Sequence, residues 1–238
     1  MTLLEKLSSQ DFTLSLSSGF FGFFSHCGFV KALESEGLKP KRITGSSAGS
    51  IVAACLASGL NPFDMEKEFL NLTKQHYWDP AFGIGFLKGQ VFEKTLHQFV
   101  KHEMKDASIP LHIATFDIAR RRTQVFTEGP LPRIIRASCA VPMMFHPVKI
   151  NNRYYWDGGI QDKMGWSQIS SDELILGHSL PSDAISALFE DRRYKKNPNR
   201  FVLNTKGLPP TGPGQFANAP KSISMTYEQT KKFLDTKL

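Results

Sequence analysis

The sequence predicts an α/β fold of three layers, with helices flanking a mixed, mostly parallel central sheet. Three observations carry this. Short apolar strands alternate with helix-patterned segments along the chain. Two of the junctions are glycine turns that lead from a strand into a helix. The chain has 238 residues, 41% hydrophobic and 21% charged, which is a globular composition with enough length for a full core. No internal repeat or boundary is visible, so one domain over residues 1–238 is expected.

Residues 12–17 alternate apolar and polar as a short strand does, and residues 28–36 have helical spacing closed by Gly37. Residues 42–44 form a second strand, which runs into a glycine turn at 45–49 and an Ala-rich helix at 50–58 stopped by Gly59. Asn61 as cap and Pro62 at the first helical position open a third helix, to about residue 75. Residues 92–104 are expected to be helical, and residues 78–89, rich in glycine and aromatics without a period, a loop or flap. Residues 111–118, 120–122 and 123–127 read as strand, turn and return strand. Residues 132–137 read as a short helix. Residues 148–150 and 153–156 flank the tight-turn pair Asn151-Asn152, and the second arm leads into Asp157-Gly158-Gly159. Short buried strands are expected at 174–176 and 201–203, with a helix at 182–189 between them. A Pro- and Gly-rich loop at 207–220 precedes a final helix at 221–238.

Charge and cysteine content narrow the function classes. Lys and Arg exceed Asp and Glu by 7, which favours an anionic partner. Nucleic acid is not expected, because basic residues are not interleaved with aromatics on one element and no known module is present. The alternative is peripheral contact with an anionic membrane surface. Cys27, Cys55 and Cys139 have no C-x-x-C spacing and read as reduced core residues. The N-terminus lacks the apolar stretch of a secretory signal, and no apolar run approaches the roughly 18 residues of a bilayer span. A cytoplasmic location is the resulting expectation. Seven scattered histidines, without an H-x-x-x-H or H-E-x-x-H pair, give no metal site.

Three motifs carry chemistry. Gly45-Ser46-Ser47-Ala48-Gly49 is a G-x-S-x-G between strand and helix. A serine hydroxyl becomes a nucleophile when it is exposed, fixed and served by a base, and a strained strand-to-helix turn supplies the first two. Ser17-Ser18-Gly19-Phe20-Phe21-Gly22 follows the first strand, and a glycine turn entering a helix offers backbone N–H groups to an oxyanion. Asp157-Gly158-Gly159 ends a strand, where the glycines permit a tight turn that leaves the carboxylate open to a neighbouring hydroxyl.

In this order and spacing the motifs resemble those of the patatin-like phospholipases, over about residues 12–165, with residues 166–238 completing the domain. Gly28-Phe29-Val30-Lys31-Ala32-Leu33, Ser47-Ala48-Gly49-Ser50, Arg136-Ala137-Ser138-Cys139-Ala140-Val141-Pro142 and the hydrophobic strand into Asp157 agree with that family. The resemblance implies Ser47 as nucleophile, Asp157 as its base, and the amides near Gly19, Phe20 and Phe21 as the oxyanion hole, with Gly22, Gly45, Gly49, Gly158 and Gly159 supporting the motifs. Two departures stand out: Ser17 and Ser18 precede the single Gly19, and Phe21 stands where many members have an arginine.

The implied activity is a cofactor-free serine acyl hydrolase cleaving carboxylic esters of lipids, of phospholipase A or lysophospholipase type. The alternatives are a soluble esterase or thioesterase and a catalytically silent lipid-binding protein on the same scaffold. An aspartate base needs desolvation to raise its pKa from about 3.9. His178 follows a strand after Ser47 and Asp157, which is the chain order of an α/β-hydrolase triad, and in that reading Asp157 would orient His178. Phe20, Phe21, Phe23 and Phe24 read either as helix packing or as an acyl-chain wall beside Ser47. Arg120-Arg121-Arg122, and likewise Arg192, Arg193, Lys195 and Lys196, read as solvated turns or as anionic headgroup contacts.

Overall fold

A computed structural model describes residues 1–180 and 197–238. The expected helix at 182–189 and the basic residues Arg192, Arg193, Lys195 and Lys196 lie outside the described residues. Eight strands among the described residues make one sheet: β1 (Thr13–Leu16), β2 (Arg42–Ser46), β3 (Leu111–Asp117), β4 (Arg122–Phe126), β5 (Val148–Ile150), β6 (Arg153–Asp157), β7 (Ile175–Ser179) and β8 (Arg200–Asn204). Their order is β5-β6-β3-β2-β1-β7-β8, with β4 paired to β3. The β3-β2-β1-β7-β8 run is parallel, and the pairs of β3 with β4, β3 with β6 and β5 with β6 are antiparallel.

Strand β1 follows from its alternation. Leu14 and Leu16 enter the main core. Thr13 and Ser15 are buried as well, and they bond to the Glu173 carboxylate and the Met164 carbonyl. Trp166 donates from Nε1 to Ser15, so the segment around it covers the polar edge of the strand. Asn151 and Asn152 adopt φ of 47° and 61°, as a two-residue turn matching the twist of β5 and β6 requires.

Flanking helices are α1 (Leu3–Ser8), α2 (Phe23–Ser35), α3 (Ala48–Ala57), α4 (Pro62–Leu70), α5 (Gln90–Leu96), α6 (Leu131–Ser138) and α7 (Ala219–Leu234). Asn61 caps α4 by accepting from the Phe63 amide, and Pro62 opens the helix. Three boundaries differ from expectation by about five residues or more. Helix α2 begins at Phe23 instead of residue 28, because every residue from Phe23 to Val30 is buried and a helix buried all round shows no apolar stripe. Helix α4 ends at Leu70, and a short 3₁₀ turn, Lys74–His76, follows it. Helix α5 ends at Leu96, where the chain tightens into i to i+3 bonds.

Close backbone approach joins the layers. A Cβ on Gly28 would lie 2.2 Å from the Ile223 carbonyl oxygen, so glycine lets α2 and α7 cross in contact. Ser25 and Thr226 share a buried hydrogen bond of 2.7 Å at that crossing.

The register of β3 brings two strand ends together. At Ile113 and Ala114 this strand pairs with both β2 and β4, and from Thr115 to Asp117 with both β4 and β6. Strands β2 and β6 therefore share one edge of β3. Ser46, the last residue of β2, faces Ala114, and Asp157, the last of β6, faces Thr115. The two strands approach head to head on neighbouring residues.

Candidate active site

Ser47 lies between the end of β2 and the start of α3, with φ 50° and ψ −121°. A non-glycine residue in this region stores about 1–3 kcal/mol of strain, which the surroundings must offset. Its amide donates to Ser138 Oγ at 2.8 Å, and Ser138 Oγ donates onward to the Ala114 carbonyl at 2.7 Å. On the helix side, the Gly49 amide donates to the Ser17 carbonyl and Ser50 Oγ to the Ser47 carbonyl. The flanking glycines are required by crowding: a Cβ would lie 2.7 Å from the Gly49 carbonyl oxygen at Gly45, and 2.1 Å from the Leu16 carbonyl oxygen at Gly49.

Ser47 Oγ donates to Asp157 Oδ2 at 2.6 Å. The other carboxylate oxygen accepts the Gly159 amide at 2.7 Å. Burial pushes the Asp157 carboxyl up to about 6, against the hydrogen bonds from Ser47 and Gly159 that hold it down. Gly158 and Gly159 have no left-handed φ. Their role is space instead of the conformational freedom expected of them, since a Cβ would lie 2.2 Å from the Ala114 carbonyl oxygen at Gly158 and 2.5 Å from Ser18 Oγ at Gly159.

Gly19, Phe20 and Phe21 form a turn closed by the Gly22 amide donating to the Gly19 carbonyl, with Phe21 at φ 53°. Their three amides have no acceptor among the described residues. Cβ atoms at Gly19 and Gly22 would press on Leu180 at 2.5 and 2.0 Å, which explains both glycines. The turn and Ser47 line the same pocket. The Ala48 amide, also without an acceptor among the described residues, is a further donor; its place directly after Ser47 is the signal that could have found it. Ser138 had no such signal, because it meets the turn only through the tertiary fold.

The pocket over Ser47 is apolar, with Phe21, Phe23, Phe69, Leu96, Phe99 and Phe145 among its walls. The phenylalanine run divides between the core and the wall of this pocket. Phe24 is fully buried in the core, Phe23 packs on Phe24 and Phe69 while facing the pocket, and Phe20 and Phe21 line it. Cys139 is a further wall residue, and burial holds its thiol far above the usual range, so it stays protonated.

His178 is not beside Asp157. It is buried, bonded to His26 and Thr205, and stacked on Phe29. Arg120, Arg121 and Arg122 are exposed at the turn between β3 and β4.

Solved structures share the architecture. VipD of Legionella pneumophila aligns over 94% of this chain and 67% of its own, with a TM-score of 0.57 at 16% identity. ExoU in its complex with SpcU from Pseudomonas aeruginosa aligns over 94% of this chain and 51% of its own, with a TM-score of 0.52 at 15% identity. Sequence relatives include an uncharacterized NTE family protein of Mycobacterium tuberculosis, 29% identical over 68% of this chain and 46% of the relative. A probable lipid hydrolase of Invertebrate iridescent virus 6 is 25% identical over 78% of this chain and 72% of its own length. Lysophospholipase NTE1 of Pyricularia oryzae is 24% identical over 71% of this chain, which spans only 12% of that protein. Residues 14–168, from β1 past the strand that carries Asp157, match the patatin-like phospholipase family, and the chain belongs to that family.

Proposed function

We propose that this chain is a serine acyl hydrolase that cleaves carboxylic esters of lipids, of phospholipase A or lysophospholipase type. The observation that carries it is the 2.6 Å bond from Ser47 to a buried carboxylate at an apolar pocket, which is also lined by a turn whose backbone amides have no acceptor among the described residues. The relatives named a lipid hydrolase and a lysophospholipase support the same substrate class.

Ser47 Oγ attacks the ester carbonyl as Asp157 takes its proton, and the Gly19, Phe20, Phe21 and Ala48 amides receive the developing oxyanion. Collapse expels the alcohol, protonated by Asp157, and leaves an acyl-Ser47. Water, deprotonated by Asp157, attacks the acyl-enzyme and releases the fatty acid. A base near 6 suits an alcohol leaving group better than an amine, so esters are preferred to amides. The pocket wall of Phe21, Phe23 and Phe69 takes the acyl chain. The net charge of +7 supports peripheral contact with anionic membrane.

A fluorophosphonate probe tests the assignment. It is expected to label the wild-type protein at Ser47 and to leave Ser47→Ala unlabelled. An unlabelled wild-type protein would make the chain a silent lipid-binding scaffold, and equal turnover of vesicle and soluble esters would make it a general esterase.

A further inference from the structure

Residues 78–89 fold into a narrow loop braced against residues 143–146. The brace is backbone. The Ala81 amide donates to the Phe86 carbonyl, the Phe86 and Leu87 amides to the Met144 carbonyl, and the His146 amide to the Leu87 carbonyl. Gly83 and Gly85 allow the contact, since Cβ atoms there would lie 2.3 Å from the His146 ring and 2.5 Å from the Phe145 backbone. Leu87 turns inward and is 3% exposed, whereas Phe82 is fully exposed, Met143 87%, Ile84 69% and Phe86 54%. Polar residues at 82 and 84 would keep every bond of the brace, so the apolar side chains there do not serve the fold. Contiguous exposed apolar surface of this kind marks an interaction site.

We propose that this flap, with Met143, is a bilayer-docking surface that seats Phe82, Ile84, Phe86 and Met143 among the acyl chains of an anionic phospholipid membrane. The proposal rests on the lipid-ester reading of the Ser47 pocket. Two further observations select a membrane as the occupant.

The first is position. His76 and Tyr77, from which the flap departs, and Phe145, within its brace, all line the Ser47 pocket. Docking on the flap brings the pocket to the membrane surface, so an ester can pass from bilayer to Ser47 without crossing water.

The second is charge. Lys74 lies 3.7 Å over the Trp78 ring, whose edge meets Phe86, and Lys88 is exposed at the other end of the flap. Asp79 is the one acid between Thr73 and Gln90, and its carboxylate accepts the Gly89, Gln90 and Val91 amides. The next acid, Glu93, is paired with Arg133 and Arg136. The apolar tip is thus flanked by cations and a tryptophan at the depth where phospholipid headgroups lie, with the local negative charge already matched.

The test uses the full chain in a Ser47→Ala background, so that turnover does not disturb binding. Co-sedimentation with phosphatidylcholine vesicles, with and without phosphatidylglycerol, is compared before and after adding Phe82→Ser and Ile84→Ser, with melting temperatures matched to establish folding. Vesicle affinity is expected to fall at least about tenfold, and binding of the parent to be stronger with phosphatidylglycerol. Tryptophan emission from Phe82→Trp is expected to shift to the blue on binding and to be quenched by brominated acyl chains. Unchanged affinity of the folded double variant, or an unquenched Trp at 82, overturns the proposal. If sedimentation velocity finds a dimer that the substitutions dissociate while vesicle binding stays the same, the surface belongs to a second copy and the proposal fails. Hydrolysis is not needed for any of these readings. A wild-type protein left unlabelled by the fluorophosphonate probe would remove the catalytic reading and leave the docking result standing.

Discussion

His26 and His178, 152 positions apart in the chain, meet Nδ1 to Nδ1 at 2.8 Å in the core. The surrounding partners assign the protons. The Ser17 carbonyl can only accept, so His26 carries its proton on Nε2 and presents Nδ1 as an acceptor. His178 then donates from Nδ1 and accepts at Nε2 from the Thr205 hydroxyl. The chain of bonds runs Thr205 to His178 to His26 to Ser17, and the Ser17 carbonyl also takes the Gly49 amide behind Ser47. The pair is therefore a structural support beneath the candidate site, and burial keeps both rings neutral.

Protonation of either ring would place a charge in the buried core. Burial, with repulsion from Lys163, lowers His26 from 6.5 to about 4, and burial lowers His178 as well. Between those values the unfolded chain binds a proton that the folded one refuses. The stability that the pair contributes is thus fully present above about 6.5 and is lost as the pH drops toward 4, about 3 kcal/mol of it for the His26 ring alone. Urea unfolding of Asp157→Asn across this range, where the opposite slope of the Asp157 carboxyl is absent, checks it.

His178→Ala is expected to lower stability by about 2–4 kcal/mol, through a cavity and an unpaired acceptor on His26. Turnover per folded molecule should stay within about threefold of wild type, because His178 is bonded to His26 and Thr205 and not to Asp157. A loss matching that of Asp157→Asn would make His178 the base.

Ser47→Ala is expected to reduce ester turnover at least about 10³-fold with little change in melting temperature, since the elbow is held by the Ser47 amide and not its hydroxyl. Retained turnover would exclude Ser47 as nucleophile.

Much of this was readable in the chain. Ser47 and Asp157 lie in short motifs with local turn chemistry, and strands such as β1 and the Asn151-Asn152 turn announce themselves by alternation and turn residues. What was hidden is what the tertiary fold supplies. That β6 runs antiparallel onto the edge of β3 that β2 also uses is a matter of pairing, and no periodicity encodes it. Ser138, His26 and His178 look like ordinary helix and strand residues until partners 24 to 152 positions away arrive. The burial of α2 on every side from Phe23 to Val30 hid its first turn for the same reason.

Gly158→Ala isolates the crowding at the end of β6. With a Cβ 2.2 Å from a backbone carbonyl, the strand end must shift, at a cost of about 1–3 kcal/mol. Because the shift moves Asp157 away from Ser47, kcat should fall more than KM rises, which steady-state kinetics on a soluble ester would separate.

Asp157→Asn should exchange activity for stability in a pH-dependent way. The carboxyl titrates at 3.8 when exposed and at about 6 in the folded chain, with burial as the main cause. Between those values the folded protein keeps a proton that the unfolded chain releases, so stability falls as pH rises, and above about 6 the buried charge costs about 3 kcal/mol. Asparagine cannot ionise, and it retains an acceptor for the Gly159 amide and a donor toward Ser47. The variant is therefore expected to be more stable than wild type by up to about 3 kcal/mol at pH 8, with the gain vanishing near pH 4. The histidine pair titrates in both proteins and cancels in the difference. In kinetics, wild-type kcat/KM should rise through an apparent pKa near 6, while the variant falls at least about 10³-fold and loses that limb. Urea unfolding at both pH values gives the decisive comparison: an equal stability difference at pH 4 and pH 8 would mean that Asp157 is not a buried charge, and with it the tuned base would be lost.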